Sequence, residues 1–371
     1  MSSDLSKKIL KLSSTRVWRT YYGGAEIEKW QGIAQPHDGQ FPEDWIASTV
    51  RATNPGREQF VEEGLSAIVT TDGGRILLRH LIESDPAAFL GADHFKKYGV
   101  SMSILAKVID SLGRLTIQVH PDKQFAKTVL SSDYGKTEAW YIFGGRIVDG
   151  QKPYVLLGFK PGMTREKWKS LFDAQDIEGM LNSLHKIEVK PGDVFLIEGG
   201  VPHAIGSGCL LIEIQEPTDY TIRVERCTPE GNIIPDLLCH QGAGFDRMFD
   251  SFHYDSFTLE ETLSRWKIKP KLCESGLEFE EWSLIDEEST KLFEMRRLII
   301  RKKITKNFGG TFAVLVVIKG EGSINGGGEC LMAIRQGDMI FVPASLGEVV
   351  IDASQEIEIV ICLPPKRIKI V

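Results

Sequence analysis

The chain has 371 residues, 42% of them hydrophobic and 26% charged, with 44 basic against 51 acidic side chains for a net charge of −7. This is an ordinary globular composition, long enough for two domains or one large core with appendages. The acidic balance, without a long basic stretch, excludes a nucleic-acid footprint. The longest apolar runs, Ala313 to Ile318 and Ile357 to Leu363, are strand-sized and too short to cross a bilayer.

The N-terminus begins Met-Ser-Ser-Asp without an apolar signal core, so a cytoplasmic location is expected. Six scattered cysteines (Cys209, Cys227, Cys239, Cys273, Cys330 and Cys362) form no CxxC pair and read as reduced thiols. The first hundred residues mix short β-like runs with Gly/Pro punctuation. Ile104, Leu105, Val108, Ile109 and Leu112 recur at helical spacing, predicting a helix over 103–112 that stops at Gly113. Strand-like runs follow at 115–120, 139–143 and 154–159. Thr164 is a candidate N-cap for a helix carrying Trp168, Leu171, Phe172 and Ile177, within a helical insertion over about 161–185. Strands return at 186–189, 194–197 and 210–215, and 260–266 reads as a short helix. From Leu284 the chain is short strands with Gly turns, the pattern of a sandwich or barrel.

Three segments carry chemistry. In Leu115-Thr-Ile-Gln-Val-His120, strand alternation puts Thr116, Gln118 and His120 on one face, backed by Leu115, Ile117 and Val119 on the other. In Gly135-Lys-Thr-Glu138, Lys136 and Glu138 point together by the same rule. The third segment runs from Pro191 through Pro202-His203. Gln118, His120, Glu138 and His203 make up a nitrogen/oxygen donor set suited to Zn²⁺ or another divalent transition metal. The remaining histidines lack comparable context and are expected to be structural.

These segments resemble the two cupin motifs, with Gln-Val-His in place of the first motif's His-x-His and Gly145 seven residues after Glu138. Gln-Val-His-Pro, Gly-Lys-Thr-Glu and Pro-His-Ala-Ile-Gly narrow the resemblance to the type I mannose-6-phosphate isomerases, strongest from about Ile104 to Arg223. The resemblance implies a mainly β chain of two cupin-type (jelly-roll) barrels. The expected division is a catalytic domain over 1–255 and a cupin-like domain over 256–371 without metal ligands. It implies zinc on Gln118, His120, Glu138 and His203, and interconversion of mannose 6-phosphate and fructose 6-phosphate through an enediol. Arg223, Lys136, Glu213 and Asp219 match family active-site positions, Arg223 as the enediolate-stabilising cation and the base among the other three. Substrate binding would fall to Lys136, with Ser48 and Arg51 as a candidate phosphate site. The implied partner is a small sugar phosphate, with no nucleic acid or membrane, and a monomer or homodimer is expected.

The chain also departs from the family pattern. Trp-Gly-Gly appears as Trp18-Arg-Thr-Tyr-Tyr-Gly-Gly24, the His of W-x-x-S-x-H-P falls at Val50, and Thr-Pro-Lys appears as Thr228-Pro229-Glu230. These changes leave open another sugar or sugar phosphate as substrate, or a sugar-binding cupin without turnover. A cupin dioxygenase fits less well, because it would favour a His-rich iron site.

Overall fold

The structure, a computed structural model, describes residues 5–70, 73–326 and 331–366. Strand predominates over helix, 35% to 20%. Among the described residues the strands form five sheets, and their strand-to-strand pairings are antiparallel. A five-stranded sheet runs in the order Leu184–Glu188, Tyr154–Phe159, His203–Ile205, Gln118–Val119, Ile222–Arg223. It faces a seven-stranded sheet ordered Lys267–Ile268, Val194–Ile197, Glu138–Gly145, Cys209–Gln215, Leu105–Asp110, Glu43–Ile46, Arg16–Val17. A second seven-stranded sheet is built around Ala313–Lys319 and Ile357–Leu363, and a four-stranded sheet around Glu321–Gly326 and Glu348–Ala353. A two-stranded ribbon pairs Ala67–Val69 with Arg75–Leu77. Each sheet has two ends, so the hydrogen bonding describes facing sheets and not a closed barrel.

The core clusters show how the sheets stack. Alternate residues of Ala313–Lys319 point opposite ways: Ala313, Leu315 and Val317 meet the four-stranded sheet, while Val314 and Val316 meet the first seven-stranded sheet. Across that second interface lie Ala106, Val108, Ala139, Tyr141, Ile212 and Ile214. The other face of the first seven-stranded sheet sends Trp140, Ile142, Phe195, Cys209 and Leu211 against Leu157 and Ile205 of the five-stranded sheet. Helices Arg165–Ala174 and Ile177–Asn182 cover the far side of the five-stranded sheet through Trp168, Phe172 and Met180. The order of layers is thus helices, five strands, seven, seven, four. Each fully buried Val, Leu or Ile in these interfaces stabilises the fold by about 1.5–3 kcal/mol. The central strands of the two seven-stranded sheets, such as Leu105–Asp110, Cys209–Gln215 and Ala313–Lys319, are buried on both faces, which is why they read as near-continuous apolar runs.

That double burial explains the main error of the sequence reading. The segment expected as a helix over 103–112 is the strand Leu105–Asp110, buried at every position. Apolar side chains on both faces of a strand imitate a helical stripe. The broad reading of the first hundred residues as short β-like runs with Gly/Pro punctuation also passes over three short helices, Leu78–Ser84, Pro86–Leu90 and Ala92–Tyr98. In the expected strand 115–120 only Gln118–Val119 is paired in the sheet. The helix starting after Thr164 is present, with the Thr164 side chain accepting from the Lys167 N–H. Two segments cross between the sheet pairs: Leu10–Lys11 pairs with Ile340 and Phe341 in the second seven-stranded sheet, and Lys267–Ile268 pairs with Phe195 and Val194 in the first.

Candidate metal centre and cleft

Register places the functional side chains. Gln118 is paired with His203 on one side and Arg223 on the other. In the facing sheet Glu213 is paired with Lys107 and with Trp140, and Gln215 with Glu138. The face carrying Glu138, Trp140 and Glu213 therefore looks across at the face carrying Gln118 and His203, and the donors meet between the two sheets.

His120, Glu138 and His203 are buried, and their ligand atoms all lie within 4.8 Å of one another. Nε2 of His120 is 3.0 Å from Glu138 Oε2, and Nε2 of His203 is 3.4 Å from Glu138 Oε1. The tautomers follow from the partners. His120 Nδ1 lies 2.8 Å from the Tyr220 carbonyl and His203 Nδ1 lies 2.8 Å from the Val201 carbonyl. A carbonyl can only accept, so each Nδ1 carries the proton and each Nε2 keeps a free lone pair facing Glu138. Both Glu138 oxygens are buried without a directed hydrogen bond. Gln118 Nε2 stands 3.3 Å from His203 Nε2, and a half-turn of the carboxamide would bring its oxygen there instead. The cluster already attracts one cation: the Lys136 ammonium is 2.8 Å from His120 Nε2 and 3.2 Å from Glu138 Oε2. Two imidazoles and a carboxylate, with Gln118 as a possible fourth donor, fit a divalent transition metal.

The electrostatics agree. Burial, reinforced by the Lys136 charge, holds His120 down at about 3, so the imidazole is neutral and able to coordinate. Burial also lowers His203. For Glu138 burial acts upward, but the Lys136 ammonium outweighs it and holds the carboxyl well below its usual range. Burial lowers Lys136, against the pull of Glu138. Burial and the neighbouring Glu138 raise Glu213.

A cleft opens beside this cluster, lined by Gln118, Lys136, Glu213, Asp219 and Arg223. Arg223 is held by the carbonyls of Thr221 and Leu238, each accepting from one guanidinium nitrogen at 3.0 Å. Glu213 pairs with Lys107 at 2.9 Å and accepts from Trp140 Nε1. Asp219 pairs with Arg19 at 2.9 Å and accepts from the Thr53 N–H. Ser48 and Arg51 do not line the cleft. The Ser48 hydroxyl bonds within its own turn to Val50, and Arg51 reaches outward to the Glu58 carbonyl.

Sequence reading missed four charged lining residues: Arg19, Glu43, Lys107 and Arg114. Arg19 bonds Glu43 at 2.9 Å, and Glu43 also accepts from Tyr21 and Trp45. Arg114 makes a two-pronged pair with Glu225. A signal existed for Lys107, a single charge interrupting the apolar run Ile104 to Ile109. Arg19 lies inside the stretch that departs from the family's Trp-Gly-Gly.

The paired sheets and the His/Glu/His cluster between them define a β-protein with a metal-binding site in a polar cleft. In sequence, the model of the phosphomannose isomerase type I catalytic domain matches residues 52–138. The probable mannose-6-phosphate isomerase GmuF of Bacillus subtilis is 36% identical over 136 residues, which are 36% of this chain and 41% of that protein. Mannose-6-phosphate isomerase ManA of Bacillus subtilis is 26% identical over 67% of this chain and 72% of its own length. In fold, the crystal structure of the mannose 6-phosphate isomerase from Bacillus subtilis superimposes with a TM-score of 0.71 at 20% identity, over 95% of this chain and 99% of that one. A zinc-bound mannose 6-phosphate isomerase superimposes with a TM-score of 0.72 at 16% identity, over 97% and 100%. The chain is thus similar to the type I phosphomannose isomerases in sequence over residues 52–138, and similar in fold to solved mannose 6-phosphate isomerases over nearly its whole length.

Proposed function

We propose that this protein is a metal-dependent aldose–ketose isomerase that interconverts mannose 6-phosphate and fructose 6-phosphate. The carrying observation is the convergence of three buried ligand atoms with Lys136, Glu213 and Arg223 on one cleft. His120, Glu138 and His203, with Gln118, would hold Zn²⁺; a mannose 6-phosphate isomerase of similar fold is known in a zinc-bound form. Bound there, the ion would act as a Lewis acid on the sugar oxygens.

The chain's own groups supply the rest. Isomerisation removes the proton from C2 of the open-chain aldose and returns one to C1, while the O2 proton passes to O1. A base needs a titration point near neutrality. Lys136 and Glu213 are pushed toward that range from opposite sides, the lysine downward and the carboxylic acid upward, both chiefly by burial. Either can take and return the proton. Arg223 stays charged and offers its guanidinium to the enediolate oxygens in a partly dry site. Asp219, tied to Arg19, is better suited to orienting the lining than to moving a proton. Five cations (Arg19, Lys107, Arg114, Lys136, Arg223) line the cleft against three anions (Glu43, Glu213, Asp219), a surplus that favours an anionic substrate.

The two sheet pairs support two cupin-type jelly-roll units corresponding to 1–255 and 256–371, with Leu10–Lys11 and Lys267–Ile268 exchanged between them. The second unit acts as a buttress to the first. A cytoplasmic location fits the free thiols of Cys209, Cys227, Cys239, Cys273 and Cys362, while Cys330 lies outside the described residues. Among the described residues no helix is long and apolar enough to cross a membrane. A monomer or homodimer remains our expectation, to be read by light scattering.

A coupled assay of mannose 6-phosphate conversion by the purified protein, with chelator and then with Zn²⁺ restored, tests the reading. Chelator-sensitive turnover that zinc restores is expected. No turnover by the zinc-loaded protein would overturn it. The presence of Arg19 in the lining, inside the stretch that departs from the family's Trp-Gly-Gly, favours one second reading, an isomerase of another aldose phosphate. A substrate panel separates the two.

A further inference from the structure

His253 stands outside the cleft, yet it touches both chain segments that deliver the imidazole donors. Its Nε2 lies 2.9 Å from Oδ2 of Asp122, two residues after His120. Its backbone N–H donates to the Gly200 carbonyl at 2.8 Å, and the Gly200 N–H donates to the His120 carbonyl at 2.8 Å. Gly200, three residues before His203, has φ +91° and lies flat against the His253 ring, so that a Cβ there would come within 2.5 Å of it. Gly199 is pressed as closely on the other loop, where a Cβ would stand 2.7 Å from the Pro121 carbonyl oxygen. Asp122 is itself fixed, its second oxygen accepting from the Phe125 N–H at 2.7 Å to cap the helix Lys123–Val129.

The segment carrying His253 is anchored on both sides. Phe252 is buried among the aromatic side chains under the covering helices, and the Phe257 N–H donates to the Phe159 carbonyl at 3.0 Å. His120 and the residues just before His203 lie at strand margins, where the sheet ladder alone does not set their spacing. Affinity of a metal site depends on how firmly its donors are held before the ion arrives.

We propose that His253 is a positioning residue for the metal centre: by holding Asp122 and covering Gly200 it fixes the distance between the loops that present His120 and His203. The inference rests on the metal-site reading above. Its test is a titration of zinc-free protein with Zn²⁺ against a chromophoric chelator of known affinity. His253→Ala is expected to weaken zinc binding about tenfold, the low end for loss of a ligand-supporting contact. Asp122→Ser keeps a capping oxygen but cannot reach residue 253, and is expected to weaken binding by a similar factor. The double variant should lose no more than either single one. His253→Gln, whose amide can still reach Asp122, should recover part of the affinity. Melting of the zinc-free variants should stay close to that of the zinc-free parent. If His253→Ala does not fold, Asp122→Ser carries the same comparison. Unchanged zinc affinity in the folded variants, or fully additive losses, overturns the inference and leaves the metal site standing. A parent protein that takes up no zinc overturns the metal reading and this inference with it.

Discussion

Arg223 shows how a half-buried side chain can be fixed in place and still keep its charge. Burial, helped by the neighbouring Arg19, lowers its pKa, but an arginine starts so high that it stays protonated. Two carbonyls fix the guanidinium without neutralising it. Arg223→Ala is therefore expected to lower kcat by about 10²-fold with a smaller effect on KM, the signature of lost transition-state stabilisation. An unchanged kcat in steady-state kinetics would remove Arg223 from the mechanism. Asp110 is a second residue with a measurable consequence. Burial pushes its carboxyl up to about 6, although Arg146 and the N–H groups of Gly24 and Glu26 favour the anion. The folded protein thus binds this proton more tightly than the unfolded chain, whose aspartate titrates near 4. The contribution is stabilising at low pH and is lost as pH rises from about 4 through about 6. Asp110→Asn, which keeps an accepting oxygen, should remove that slope. The check is the difference between parent and variant in denaturant stability across pH 4 to 7.

Elements differ in how plainly they announce themselves. Tyr154–Phe159, Val194–Ile197 and Ala313–Lys319 are found at the expected bounds, because turn residues bracket short β-rich runs. Leu105–Asp110 was misread because burial on both faces erases the alternation that distinguishes strand from helix. The three short helices over 78–98 went unseen because none is long enough to establish a helical stripe. The candidate donors His120, Glu138 and His203 could be picked out in the sequence because the motif names them, and the fold brings them together. Arg19, Glu43 and Arg114 were not, since a lone charge in sequence looks the same whether it faces water or a buried partner across the fold. Local capping was readable: Thr164 accepts from the Lys167 N–H at 3.3 Å and opens the helix that seats Trp168 and Phe172. Thr164→Ala should destabilise the protein by about 1 kcal/mol. Urea unfolding would show it as a lower midpoint at constant slope, and no change would mean that tertiary packing alone holds the first turn.

Over the whole molecule the site sheet is clamped between the cleft on one face and the second seven-stranded sheet on the other. Ala139 and Tyr141, which flank Trp140 next to the candidate donor Glu138, are part of the interface with Val314, Val316 and Val360. Metal binding should therefore be felt globally. At a free zinc concentration one hundred times Kd, the folded state gains about 2.7 kcal/mol. Calorimetry with and without zinc should show the melting transition shifted upward as a unit. A zinc-sensitive transition separate from a zinc-insensitive one would show the sheet pairs melting independently.

The pairing of Leu10 with Phe341 has a consequence for biogenesis. That edge strand emerges from the ribosome about 330 residues before its partner, an interval of roughly 15 to 65 seconds at 5–20 residues per second. Throughout synthesis the segment has no sheet to join, so it is open to chaperones and proteases until translation is nearly done. The same hydrogen bonds make a natural checkpoint, because only a chain translated past Phe341 can close them. A nascent protein stalled short of that point would already contain His120, Glu138 and His203 but would keep an unfastened N-terminal strand.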